Sequence, residues 1–215
     1  MFGIMKKDWL YYIGFLSMVP LQLLYWHTTR MQLDTTVVFM MTGWIYIVIV
    51  GSIFGVEMNE AKSHGYRFLA ALPVTAREIV AAKLIPIFAV SGIYVIATYF
   101  TFSSLEVDPA YLDLARKWLL FNAAFALGVA GAIYWLIFRH GLEKAIYLQA
   151  VLFLFAFLVP IALNEAVIRG YLDDSSAIFR LVRLTGNGYL LLAGALVYLA
   201  FYHFAVRAFE REVPA

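Results

Sequence analysis

The sequence predicts an all-α integral membrane protein: six transmembrane helices in a single transmembrane domain, 1–215, with both termini cytoplasmic. Three observations carry this expectation. First, 64% of the 215 residues are hydrophobic and only 14% are charged, whereas a soluble globular domain carries roughly 25% charged residues. Second, the apolar residues collect in runs of about 20, the length that crosses a bilayer as a helix. The runs are apolar on all sides, so they do not read as the alternating strands of a membrane barrel. Third, the Asp, Glu, Lys and Arg residues stand between or at the ends of these runs, away from their centres.

Taken in order, the spans are 9–27, 36–56, 84–102, 118–138, 145–163 and 189–206. The first follows Lys6 and Lys7 and could imitate a signal peptide. It is longer than a signal core, no small-x-small cleavage site closes it, and Tyr25-Trp26-His27 reads as an interfacial anchor. The turn at 28–35 is short. Gly51 and Gly55 form a GxxxG on the second span, and Ala124, Gly128 and Ala132 line one face of the fourth. Small faces let helices approach closely, and packing within the chain is the expected use ahead of a subunit contact. Pro20, Pro86 and Pro160 lie within or near the ends of spans and are read as tolerated kinks.

Lys and Arg placement sets the orientation. With the N-terminus inside, the inner side holds Lys6, Lys7, Lys62, Arg67, Arg77, Lys83, Arg139, Lys144, Arg207 and Arg211. The outer side holds Arg30, Arg116, Lys117, Arg169, Arg180 and Arg183. The outer loop 103–117 is acidic, with Glu106, Asp108 and Asp113. The inner turn 139–144 is tight. The extracytoplasmic loop 164–188 carries Ile178, Leu181, Val182 and Leu184 interleaved with Arg180 and Arg183, the pattern of a short amphipathic helix on the membrane surface. The expected location is the cell's inner (plasma) membrane.

Several chemistries are unsupported. The chain has no cysteine, which removes disulfides and thiolate chemistry. His27, His64, His140 and His203 form no close ligand pair, and a metal site needs several convergent ligands. There is no GxSxG. Gly55 to Ser63 superficially resembles a phosphate-binding loop, but Ala61 stands where the required glycine should precede Lys62. The net charge of +2 and the lack of a basic block give no reason to expect nucleic acid. No catalytic, cofactor or metal residue is assigned to this chain. An energised function needs a partner.

The longest polar interruption in the front half is 57–83. Ala61, Gly65, Phe68, Leu69 and Leu72 fall on one helical face, with Asn59, Lys62, Tyr66 and Arg67 mainly on the other. Pro73 disfavours helix at Leu72. Thr75-Ala76-Arg77-Glu78 is a capping box, so a new helix begins near Ala76 and continues through Lys83 into the third span. On pattern alone this segment serves equally well as a surface helix joining two spans or as a docking surface.

The run from Glu60 to Lys83, with Tyr66-Arg67-Phe68-Leu69-Ala70-Ala71-Leu72-Pro73-Val74-Thr75-Ala76-Arg77-Glu78 at its heart, resembles the inner loop of ABC-2 type transporter permeases, the membrane-spanning subunits of ABC transporters. Six spans with both ends inside fit that permease fold. The resemblance implies a cytoplasmic coupling loop at 57–83 that docks on a separate ABC ATP-binding subunit, two copies per transporter. Carried onto this chain, the contact set is Glu60, Lys62, Tyr66, Arg67, Leu72, Pro73 and Arg77, with a smaller contact from Arg139, Glu143 and Lys144. It also implies a second permease half, as homo- or heterodimer, with ATP and Mg held on the partner ATPase and no cofactor here. The substrate path would run between the halves along the second and fifth spans, and the resemblance implies export; the aromatic-rich spans lean toward an amphipathic substrate, although lipid-facing surfaces need the same residues. Two other classes compete: a membrane enzyme acting on lipid or peptide, and a structural or sensory subunit that moves nothing.

Overall fold

The computed structural model describes residues 9, 10, 12–14, 17, 20, 24, 35–62, 74–103, 109–147, 150, 151, 154, 158 and 187–212. Four long helices organise them: α1 (Thr35–Lys62), α2 (Ala76–Ser103), α3 (Pro109–His140) and α4 (Asn187–Glu212). A further helical stretch occupies 142–147, and the described residues contain no strand. Among the described residues, three segments are long and apolar enough to cross a membrane: Ala76–Ser103, Ala115–His140 and Leu192–Arg211. At about 1.5 Å per residue, the 28 residues of α2 reach roughly 42 Å. That equals a bilayer with its headgroup regions, so the polar ends of the helix reach the interface.

Local chemistry sets the ends of these helices. The Thr75 amide donates to the Glu78 carboxylate at 2.9 Å, and the Glu78 amide donates back to the Thr75 hydroxyl at 3.3 Å. This reciprocal cap starts α2 at Ala76, as the sequence predicts. Pro86 lies inside α2 without ending it. Proline opens α3, where its missing N–H would be unpaired in any case. Gly141, at φ 85°, closes α3 by donating its N–H to the Ile137 carbonyl at 2.9 Å. That left-handed conformation suits glycine, and it compresses the expected inner turn to one residue before helix resumes at 142.

The helices overrun the apolar windows. Helix α1 continues to Lys62, beyond the expected end at 56, because its last turns pack against α2. Helix α3 begins at Pro109, so much of the expected loop 103–117 is helical, and Asp113 pairs with Lys117 at 2.8 Å one turn on. Helix α4 runs on to Glu212. Spans 9–27 and 145–163 fall largely outside the described residues, as does the amphipathic segment 178–184.

Helix α3 packs against α1, α2 and α4. Its small face meets α4 closely. A Cβ on Gly194 would stand 2.6 Å from the Ala124 Cβ and 2.8 Å from the Ala124 Cα, and one on Gly131 would stand 2.7 Å from the Phe201 Cβ. Ala124 and Gly128 therefore serve packing within the chain, the expected use. Gly51 and Gly55 border a groove shared with Ile146 and Ala150.

The bundle has two distinct ends. At one, Phe138 of α3 meets Phe209 of α4 edge-on at 5.3 Å, and the Tyr202 hydroxyl of α4 donates to the Arg77 carbonyl at the start of α2. Lys83 of α2 pairs there with the last turns of α1. At the other end, Arg116 donates to the Ser103 hydroxyl at 2.7 Å and lies over the Tyr99 ring.

Candidate coupling site

The first end brings together the C-termini of α1, α3 and α4 with the N-terminus of α2, on either side of the segment 63–73. Its centre is a buried ionic cluster. Glu57 and Glu60, three residues apart, share a face of α1. That face continues the buried stripe of Ile49, Ile53 and Val56. The Lys83 ammonium reaches one carboxylate oxygen of each glutamate at 3.4 Å, and the three side chains are 0–3% exposed. At that distance each pair attracts by about 5 kcal/mol at an effective dielectric near 20, most of it offset by removing the charges from water. The cluster joins the two arms that bracket 63–73.

Two tyrosines one turn apart on α4 hold the same part of α2. Tyr202 reaches the Arg77 carbonyl at 3.3 Å. Tyr198, buried, donates to the Leu84 carbonyl at 2.6 Å and lies beside Phe88. Helix α4 is thereby tied to the first three turns of α2, next to the kink-prone Pro86.

The expected contact residues fall into distinct places. Arg77 is exposed in the first turn of α2. Arg139, Glu143 and Lys144 are exposed on both sides of Gly141, and Arg139 lies over the Trp135 ring at 5.4 Å. Glu60 does not face outward: only 2% of it is exposed, and it pairs with Lys83 instead. Lys62 closes α1 and its side chain lies outside the described residues, as do Tyr66, Arg67, Leu72 and Pro73. Among the described residues no group of three or more His, Asp or Glu side chains could hold a metal ion.

A family model described as an ABC-2 family transporter protein matches residues 3–210, nearly the whole chain. The chain belongs to the ABC-2 transporter family. Comparison with curated proteins and with solved structures finds no match. The permease is thus a multi-pass membrane subunit of a transporter, and family membership implies a non-catalytic transport role together with an ATP-binding partner.

The sequence reading of this permease treated Glu57 and Lys83 as boundary charges and missed their contact. One signal was available: Glu57 and Glu60 prolong the i, i+3, i+4 stripe of Ile49, Ile53 and Val56, so both carboxylates had to enter the interface that the stripe builds. Tyr198 and Tyr202 carried no signal of their own within the apolar α4.

Proposed function

We propose that this permease is one half of an ATP-driven exporter, with 57–83 as the segment through which a separate ATP-binding subunit moves the membrane helices. The observation that carries the reading is the buried Glu57–Glu60–Lys83 cluster at the root of that segment. A loop that only joins two spans has no need to bury three charges; one that transmits force needs stiff roots. The grouping of Arg77, Arg139, Lys144, Arg207 and Arg211 at the same end supports a cytoplasmic placement for it. ATP and Mg would be bound by the partner, and closure of the ATPase pair would pull on 63–73. The Glu57–Lys83 cluster and the Tyr198 and Tyr202 bonds would pass the motion to α1, α2 and α4. Two permease halves would enclose the path, and an amphipathic substrate fits the aromatic-rich spans.

The docking contact is assigned to Lys62, Tyr66, Arg67, Leu72, Pro73 and Arg77, with Arg139, Glu143 and Lys144 beside them. Co-purification with the ATP-binding subunit tests this. Combining Tyr66→Ala, Arg67→Glu and Arg77→Glu is expected to abolish recovery of the complex while leaving the permease in the membrane. Undiminished recovery overturns the docking assignment.

A further inference from the structure

Two grooves lie in succession along α3 and α4 and share Phe201 as a wall. The first, about 460 Å³, is apolar, with Ala124, Gly128, Ala132, Ala193 and Gly194 on its floor and sides. Its end at Phe201 is also the start of the second, about 600 Å³, which opens toward the coupling end between Trp135, Phe204, Arg139, Arg207 and Arg211. None of the described lining residues of either groove is acidic. Three exposed arginines therefore line one mouth with no acidic residue in its lining, and Arg139 is held there against the Trp135 ring.

The dimensions and the chemistry select one occupant. From Gly194 to Arg207 the furrow follows α4 for about 20 Å, at 1.5 Å per residue. One leaflet offers about 15 Å of hydrocarbon and a few ångströms of headgroup region. With α4 crossing the bilayer and Arg207 and Arg211 in its last turns, the apolar part of the furrow would lie at the depth of acyl chains and the arginines at the depth of phosphate. Guanidinium groups bind phosphate oxygens in paired hydrogen bonds, and basic pockets between membrane helices suit anionic headgroups.

We propose that the α3–α4 furrow is a binding site for an anionic glycerophospholipid of the leaflet at the coupling end. One acyl chain lies along Ala124, Gly128 and Gly194, and the phosphate lies among Arg139, Arg207 and Arg211. The small residues of α3 then have two uses. They admit α4 closely, and they line the apolar groove beside it. A lipid seated there bridges the ends of α3 and α4 without joining the protein's own packing.

The test uses the full chain in nanodiscs containing brominated phosphatidylglycerol or brominated phosphatidylcholine, with Trp135 fluorescence as the readout and a Trp135→Phe variant to subtract the other tryptophans. Brominated phosphatidylglycerol is expected to quench Trp135 at roughly one-tenth the mole fraction that phosphatidylcholine requires. The arginines supply the attraction for the anionic headgroup, so Arg139→Gln, Arg207→Gln and Arg211→Gln together should reduce this tenfold preference to within about twofold. Arg116→Gln, at the opposite end, should leave it unchanged. Ala193→Phe fills the furrow from its open side and should weaken phosphatidylglycerol binding with the arginines intact. Soluble glycerol phosphate should not compete. Equal quenching by the two lipids in the wild type overturns the site. So does a preference that survives the triple change, and so does full competition by glycerol phosphate, which removes the acyl furrow from the account.

Discussion

Replacing Lys83 by methionine keeps most of the side-chain volume and removes the cation that lies 3.4 Å from both Glu57 and Glu60. Two carboxylates are then left buried on one face of α1. Removing one partner of a buried ion pair costs about 3–5 kcal/mol, because the remaining charge is uncompensated. For a chain of this size that corresponds to a fall in melting temperature on the order of 10 °C. The measurement is thermal unfolding of the purified permease in one detergent, followed by intrinsic fluorescence. A second variant separates charge from shape: Lys83→Met with Glu57→Gln and Glu60→Gln removes all three charges and should recover most of the loss, since neutral replacement of a whole buried cluster is often tolerated. The reasoning fails if Lys83→Met melts within about 2 °C of the wild type, or if the neutral triple variant is no more stable than Lys83→Met alone.

Other substitutions probe the remaining contacts. Gly194→Ala places a methyl group against the backbone of Ala124 and should cost about 1–3 kcal/mol. Gly128→Ala meets only a Val197 methyl at 3.3 Å, a side-chain end and not backbone, and should cost less than Gly194→Ala in the same melting assay. Tyr198→Phe removes the donor to the Leu84 carbonyl and should cost about 1 kcal/mol, with faster amide exchange around Pro86. Thr75→Ala removes the hydroxyl half of the α2 cap and should speed amide exchange in the first turn of α2 roughly fivefold. Unchanged exchange there would mean that tertiary contacts alone hold the helix start.

The capping box at Thr75 was legible because all its partners lie within four residues. The glycine turn at Gly141 was legible in part: the short polar gap was visible, but the positive φ that reduces it to one residue is a property of the folded backbone. The small face of Ala124 and Gly128 was read correctly, yet its complement on α4, Gly194 and Phe201, is some 70 residues away and no period connects them. The end of α1 was misplaced for a similar reason. Hydropathy stops at the first charge, and the partner that makes Glu57 and Glu60 compatible with burial is Lys83 on another helix. The cytoplasmic contact set therefore includes Glu60, whose side chain is instead buried against Lys83.

The central claim, that the coupling end receives the ATP-binding subunit, is open to a direct test because the chain has no cysteine. Single cysteines introduced as Arg77→Cys, Arg139→Cys or Lys144→Cys, and as Arg116→Cys at the opposite end, can be challenged with a short thiol-to-amine cross-linker in membranes containing the ATP-binding subunit. The account predicts cross-links to that subunit from positions 77, 139 and 144, changing in yield when ATP is added, and none from 116. Cross-linking from 116 alone, or equal cross-linking from both ends, would contradict it.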